Sequence, residues 1–435
     1  MAIISRQQQI FDWSELENLG DLERLRLVLA YMPDENLMQH LERERFNGRD
    51  DYPIRAVWNS ILAGIVYQHP SIESLRRELL RNNQLCRMCG FAADKIPTAS
   101  VYSRFIHKLF GHQKLIDDIF ANLVDQCYEQ LPGFGKSLAL DGKAICSHAT
   151  GRNKTTKKDG RRDLDADYGV KKYKGKREDG TLWEKVTTWF GYKLHLLVDA
   201  DYELPVAFRV TKASRSEVKQ AHQLVEALAE TRPQILKEAE YFMADRGYDD
   251  GKLISKLWDE HQTKAVIAIR DAWRDGEETK PLQGFENIVY DYQGTVSCCC
   301  PRELKLKEMA YAGFEKQRKT LKYRCPARHY GRSCEGEKQC PVKTSIRISL
   351  ATDRRVFTPL ARSSYKWQDL YKKRTAVERV NSRLDVSFGF EQHYIRGQAK
   401  MQMRCSLALC VMLAMAIGRV KEKKPDLMRS LVKTA

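Results

Sequence analysis

Two aspartates stand where apolar strands stop. Asp141 ends the run Ser137-Leu-Ala-Leu and is followed by Gly142, so its carboxylate emerges at a strand terminus. Asp245 repeats the arrangement in Tyr241-Phe-Met-Ala-Asp-Arg-Gly-Tyr, with glycine two residues on. Such places suit ligands, although a strand-end aspartate also serves simply to cap a turn or the next helix. A third acid lies in Tyr371-Lys-Lys-Arg-Thr-Ala-Val-Glu-Arg-Val-Asn-Ser-Arg-Leu-Asp. At about 100° per residue, Tyr371, Arg374 and Glu378 fall within a helical sector of ~60°. Ala376, Val377, Val380 and Leu384 on the other side would pack that helix on a sheet and aim the polar sector along it. A solvated polar face is the plainer reading of the helix taken alone.

Thiols form a second group with chemical capacity. Cys300, Cys325 and Cys340 each precede proline, and with Cys334 they could supply four thiolates to a tetrahedral structural Zn²⁺. Cys298, Cys299 and His329 compete as ligands, the spacing lacks regular short knuckles, and reduced, partly buried thiols are the alternative. Cys86 and Cys89 form one short pair without a second and read as structural. Twelve cysteines in a chain of this size speak for thiols or metal ligands rather than a disulfide framework.

The elements that must position these residues change character along the chain. Over residues 21–131 apolar positions recur at helical spacing, as in Val101, Phe105, Ile106, Leu109 and Phe110, with Pro53, Pro70 and Pro97 as breaks. We read 1–133 as an all-α, DNA-binding N-terminal domain. Residues 71–82, carrying Arg76, Arg77 and Arg81, and the segment from Thr98, carrying Arg104 and Lys108, would suit a helix-turn-helix, or two solvated helix faces. After Pro132 and Gly133, strands are predicted at 137–145, 191–199, 204–211, 240–245 and 264–269, with helices at 217–228 and 250–261. This predicts an α/β layer on a mixed sheet, its first three strands antiparallel and the later ones parallel, an order that fits a ribonuclease-H-like core. The core comes in two parts, 134–270 and 365–420, separated by a mainly β, cysteine-containing insertion at 271–364 and followed by a basic tail at 421–435.

Between the first two predicted strands, Arg152, Lys154, Lys157, Lys158, Arg161, Arg162, Lys171, Lys172, Lys174, Lys176 and Arg177 meet only Asp159, Asp163, Asp165 and Asp167. With Tyr168 and Tyr173 interspersed, this reads as a mobile arm that orders on phosphates and stacks an aromatic on an exposed base, or as an unstructured loop. The whole chain repeats the bias: 74 Lys and Arg against 57 Asp and Glu give +17 over 435 residues. That favours a polyanionic partner, nucleic acid first, over a basic surface kept for solubility. The hydrophobic share, 43%, is enough for two or three packed domains. The N-terminus lacks the pattern of a secretory signal, which places the chain in the cytoplasm. The apolar stretch 406–417, flanked by Arg404 and Arg419, is too short for a span and reads as a buried C-terminal helix, with no membrane partner.

Three stretches carry a resemblance. Leu138-Ala-Leu-Asp-Gly-Lys, Met243-Ala-Asp-Arg-Gly-Tyr-Asp and 371–385 resemble, in order, the three catalytic segments of bacterial insertion-sequence transposases with a DDE domain, of the insertion sequence 4 and 5 type superfamily. Phe46-Asn-Gly-Arg-Asp-Asp-Tyr-Pro and Ile96-Pro-Thr-Ala-Ser-Val-Tyr-Ser-Arg-Phe resemble the helical domain that precedes many of them. The resemblance implies that Asp141, Asp245 and Glu378 are catalytic and hold two Mg²⁺ or Mn²⁺, for which hard oxygen ligands are suited. Two ions about 3.5 to 4 Å apart activate a water or a 3′-hydroxyl and stabilise the leaving oxygen. Hydrolysis at the transposon ends, then attack of the freed 3′-hydroxyl on target DNA, is the implied reaction. The implied partners are double-stranded terminal inverted repeats and target DNA, met by a homodimer.

The resemblance also implies that Tyr371 and Arg374 hold phosphates and that a lysine follows the glutamate by seven positions. Asp385 stands there instead, so the lysine's role is lost or taken by Arg379, Arg383 or a residue elsewhere. The expected DNA contacts are Tyr371, Arg374, Arg379, Arg383 and Lys143, with Arg152, Lys157, Lys158, Arg161, Arg162, Lys171 and Lys172 from the arm. A decayed transposase that only binds DNA, and a metal-dependent nuclease on the same fold, are the alternatives.

Overall fold

The helical periodicity of the first third forms helices α1 (Leu22–Tyr31), α2 (Glu35–Arg45), α3 (Ile54–Val66), α4 (Ile72–Arg81), α5 (Asn83–Cys89), α6 (Ala99–Phe110) and α7 (Gln113–Gln130). The computed structural model describes residues 20–45, 51–92, 95–149, 151, 162–177, 179–299, 305–331, 333–338 and 340–430. Polar side chains set the helix starts: Ser71 Oγ accepts from the Ser74 amide at 3.2 Å, and Asn82 Oδ1 from that of Leu85 at 3.0 Å. Trp58 fills the middle of the bundle, its indole N–H donating to Asp34 at 2.6 Å.

The chain then builds a mixed sheet from β1 (Ser137–Cys146), β2 (Asp167–Lys176), β3 (Leu182–Asp199) and β4 (Leu204–Lys212). It continues through α8 (Glu217–Thr231), α9 (Pro233–Glu238), β5 (Tyr241–Ala244), a 3₁₀ turn at Arg246–Tyr248, α10 (Gly251–Asp259) and β6 (Lys264–Ile267). β3 lies antiparallel to β1, β2 and β4, while β1, β5 and β6 run parallel, giving the order β2-β3-β1-β5-β6 with β4 also on β3. β1 and β5 open with runs of buried residues, as strands covered on both faces should.

One expectation needs correcting. Residues 167–176 of the basic arm are a strand, and β3 begins at Leu182, nine residues before the predicted start, so the two form a ribbon paired from Asp167↔Gly191 to Lys176↔Leu182. Tyr168, Val170, Leu182, Trp183 and Val186 are exposed on it. The side chains of residues 182–188 are all exposed, and a strand without a buried face shows no alternation in its sequence, which is why charge alone was legible there. Residues 152–161, and with them Arg152, Lys157, Lys158 and Arg161, lie outside the described residues.

Residues 271–364 hold two small antiparallel sheets. One comprises β7 (Lys280–Pro281), β8 (Ile288–Tyr290), β9 (Val296–Cys299) and β10 (Leu306–Glu308); the other comprises β11 (Ala310–Glu315), β12 (Thr320–Arg324) and β13 (Ser345–Ser349), with helix α11 (Pro326–Tyr330) after β12. They share a core of Leu282, Ile288, Val296, Leu321, Tyr323, Ile346 and Phe357, against which Trp258 of α10 packs.

The stretch read as one helix over 371–385 is two, α12 (Tyr365–Lys373) and α13 (Thr375–Phe388), meeting at Arg374. α13 lies on β1 and β3, burying Ala376, Val377, Val380 and Leu384 as the pattern predicts. Helix α14 (Gln398–Lys421) outruns the apolar stretch 406–417. By length and composition it could cross a membrane, yet it is buried against α1, α7 and β4. The N-terminal helices, α14 and the sheet thereby share one continuous core.

Candidate active site

Parallel pairing brings the first two acids together. Leu140 is opposite Ala244, so Asp141 and Asp245 follow at the same level on adjacent strands, at the carboxyl end of the β1–β5 pair. Side chains leaving that end of a parallel pair are positioned by the whole sheet. Asp141 is mostly buried, and burial pushes its carboxyl up to about 6, with the neighbouring Asp245 adding to the rise; the Gly142 amide, Lys171 and Arg374 act against it. Asp245 caps the 3₁₀ turn, its Oδ1 accepting from the Gly247 amide at 2.7 Å. It therefore does what a bland strand-end aspartate does, while keeping its second oxygen out of that bond.

Glu378 enters from α13. Its Oε1 meets an Arg374 guanidinium nitrogen at 2.8 Å, and the glutamate side chain is half exposed. Arg374 also feels the charge of Asp141, so it stands between the helix acid and the strand acids. Its guanidinium lies over the Tyr371 ring, 5.6 Å from the centroid, and Tyr371 stacks on Trp367 at 4.8 Å. The Arg374 Nε is buried without a hydrogen-bond partner, which leaves a donor for an anion arriving at this face. The acids do not converge on a point: among the described residues, no three of their oxygens come within 4.8 Å of one another. The all-oxygen donor set is right for hard divalent cations.

The predicted lysine position resolves in an unexpected way. Asp385 Oδ2 receives Lys143 Nζ at 2.6 Å, and Lys143 also lies 3.5 Å from Glu391. Lys143 is two residues after Asp141 on β1, on the same face of the strand. Arg379 and Arg383 instead converge on Glu203, at 2.7 and 2.8 Å, in the turn after β3. Lys171 Nζ reaches the Gly142 carbonyl at 3.4 Å, whereas Lys172 is exposed near Glu184. Arg162 lies in the short stretch before β2. In the N-terminal helices, Arg76 donates to the Pro97 carbonyl at 2.7 Å and pairs with Glu73, and Arg81 pairs with Glu78.

A family model described as a transposase DDE domain matches residues 137–414, spanning β1 to α14. The chain belongs to the DDE transposase family. A second family model, described as a transposase domain (DUF772), matches residues 8–108 of this transposase. No curated protein matches the chain. Among solved structures, a cryo-EM structure of the piggyBac transposase synaptic complex with hairpin DNA is 13% identical and covers 96% of this chain and 86% of that one, with a TM-score of 0.29, too distant to carry a structural argument. DDE transposase domains generally use divalent metal ions.

Around its two strand aspartates the transposase gathers residues that sequence reasoning missed. Glu217, the first residue of α8, points back at the sheet and pairs with the buried Lys193 of β3 at 2.9 Å. Its Oε1 lies 3.1 Å from where a side-chain carbon on Gly142 would stand, and its Oε2 lies 3.1 Å from the same point on Gly247. The Tyr248 hydroxyl is 3.4 Å from the Gly142 point, and the ring is wholly buried. The signal available in the sequence was the pair of glycines after the two aspartates, each leaving room for a neighbour.

The thiols divide. Cys300 lies outside the described residues, and Cys298, Cys299, Cys325, Cys334 and Cys340 line one small cavity in the insertion. Burial pushes the Cys298 thiol up to about 11, with Cys325, Cys340 and Cys334 near enough to add to the rise. Asn287 donates its amide to Cys340 Sγ at 3.3 Å. Cys86 and Cys89 are buried in the helical bundle. Among the described residues, one group of three has ligand atoms within 4.8 Å of one another, His40, Glu44 and His112, and there Lys108 already occupies Glu44 at 3.1 Å; no three of the insertion's thiols come that close.

Proposed function

We propose that this DNA transposase cuts at the ends of its element and joins the freed 3′-hydroxyl to target DNA, with Asp141, Asp245 and Glu378 holding two Mg²⁺ or Mn²⁺ in a ribonuclease-H-like core. The observation that carries the reading is the placement of Asp141 and Asp245 side by side where the parallel pairing of β1 and β5 ends, with Arg374 linking them to Glu378 on the helix packed across β1. The ions would supply Lewis-acid activation of the nucleophile and of the scissile phosphate. The strand aspartates are rigid donors, because the sheet fixes both backbones. Glu378 shares its charge with Arg374, so it is the adjustable member. Tyr371 and Arg374 meet the phosphate beside the scissile bond. Lys171 and Lys172 bring positive charge along the ribbon, which we assign to the DNA flanking the cut, the protein acting as a homodimer on paired inverted repeats in the cell's DNA compartment.

The test is Mg²⁺- or Mn²⁺-dependent cleavage and strand transfer on DNA bearing the element's terminal repeats, for wild type, Asp141→Ala, Asp245→Ala and Glu378→Ala at fixed salt. Loss of both reactions with DNA binding intact supports the assignment. A variant that cuts normally removes its residue from the site. Cleavage without strand transfer points to a nuclease, and binding without cleavage to a DNA-binding remnant.

For the insertion we propose a structural Zn²⁺ held by Cys325, Cys334 and Cys340 with either Cys298 or Cys300 as the fourth thiolate. The shared cavity and the Asn287 amide on Cys340 support it, since a donor aimed at sulfur suits a thiolate. Metal analysis of protein carrying no metal-binding tag should return one zinc per chain; a value well below one removes the site.

A further inference from the structure

We propose that Glu217 is a fourth carboxylate of the ion centre, a ligand on the Asp245 side held in place by Lys193. The inference rests on the reading of Asp141 and Asp245 as ion ligands and names another residue at the same site.

The geometry is specific. Glu217 reaches both backbones that follow the aspartates, one oxygen lying 3.1 Å from the Gly142 point and the other 3.1 Å from the Gly247 point. Asp245 Oδ1 lies 2.8 Å from that same Gly247 point, so oxygens of both acids gather about one spot. Lys193 Nζ holds Oε1 at 2.9 Å, leaving Oε2 as the oxygen on the Asp245 side. A side chain on Gly142 would meet Glu217 first, and one on Gly247 would meet Asp245 first and Glu217 next, so both glycines leave room for these carboxylates.

An independent observation points to a polar occupant of the same space. The Tyr248 hydroxyl is buried, has no hydrogen-bond partner, and is surrounded by the charges of Glu217, Asp141 and Asp245. Leaving a buried hydroxyl unpaired costs about 1 to 3 kcal/mol, and unpaired groups of this kind collect at functional sites. A plain Glu–Lys ion pair on the back of a sheet would need neither the two bare glycines nor an unpaired tyrosine beside it.

The experiment measures Mn²⁺ binding by the full-length protein, by calorimetry and by the electron paramagnetic resonance signal of free Mn²⁺, with melting temperature and DNA binding as controls. Glu217→Gln is expected to weaken Mn²⁺ roughly tenfold or more, and raising Mn²⁺ should restore part of the cleavage. The double variant Lys193→Met, Glu217→Gln removes the lysine that the single change strands, and it should stay equally weak for Mn²⁺. If the double variant regains both wild-type melting and wild-type Mn²⁺ affinity, the pair is structural and the proposal falls. It falls also if Glu217→Gln binds Mn²⁺ like wild type while Asp141→Asn and Asp245→Asn do not, an outcome that leaves the triad standing. If those two aspartate variants bind Mn²⁺ normally, the triad reading itself fails.

Discussion

Replacing Asp141 by asparagine should stabilise the metal-free protein. Burial and the neighbouring Asp245 raise the Asp141 carboxyl from an ordinary 3.8 to about 6. A rise of roughly 2 units at 1.36 kcal/mol each means that the ionised form costs the fold about 3 kcal/mol. The sign follows from proton counting. Between pH ~4 and ~6 the folded state holds a proton that the unfolded chain has released, so stability falls as pH rises through that window and the full cost is present above it. Asn keeps the shape and an acceptor for the Gly142 amide but carries no charge. The assay is denaturant unfolding in EDTA at pH 8 and at pH 4. At pH 8 the variant should be the more stable by up to about 3 kcal/mol, and at pH 4 the gap should close. Asp199, also raised to about 6 by burial, is present in both proteins and cancels in the difference. Saturating Mn²⁺ should then stabilise wild type by about 2.7 kcal/mol at a hundred times Kd, roughly cancelling the variant's advantage at pH 8. Equal stability at pH 8, or an advantage unchanged at pH 4, would refute the account of a charge held at a cost for an ion to offset.

Glu203 should prove a structural anchor: Arg379, Arg383 and Arg429 all turn to it, and Glu203→Ala, leaving Arg383 largely buried without its counter-ion, is expected to cost about 3 kcal/mol in denaturant unfolding. The pair Lys143→Asp with Asp385→Lys should preserve DNA cleavage better than either single change, because the swap keeps opposite charges facing while each single change puts like charges together. Lys171→Ala with Lys172→Ala should flatten the salt dependence of DNA binding, lowering the log–log slope by about 1.8 in a titration from low to high salt; an unchanged slope means that the ribbon does not meet phosphates.

Much of the framework that carries the candidate site was legible because it obeys local rules. The runs before Asp141 and Asp245 are almost wholly apolar, as buried parallel strands require, so both strands could be placed, although β1 does not stop at Asp141 but runs on to Cys146 along β3. The apolar side of α13 was equally plain, though the break at Arg374 was not, since no glycine or proline stands in Lys-Lys-Arg-Thr-Ala and basic residues alone mark a helix end weakly. Glu217 stayed hidden for a different reason. An acid in a helix's first turn is ordinary, and its meeting with Gly142 and Gly247 depends on how α8 docks, a contact spanning 75 residues in one direction and 30 in the other. The ribbon was missed because period-two alternation reports a buried face, and the first half of β3 has none.

Lys143 and Asp385 show how a site can keep a charge while its sequence pattern loses it. The resemblance implies a lysine two helical turns beyond Glu378, where this chain carries an acid. That acid is not solvated: it is partly buried and holds Lys143 at 2.6 Å. Since Lys143 shares its strand face with Asp141, the cation returns to the neighbourhood of the acids from β1 rather than from α13. The pair also bridges strand to helix, which fixes the sheet carrying Asp141 against the helix carrying Glu378. Positive charge at this place therefore binds the two halves of the core, and either strand or helix can supply it provided the other supplies the acid.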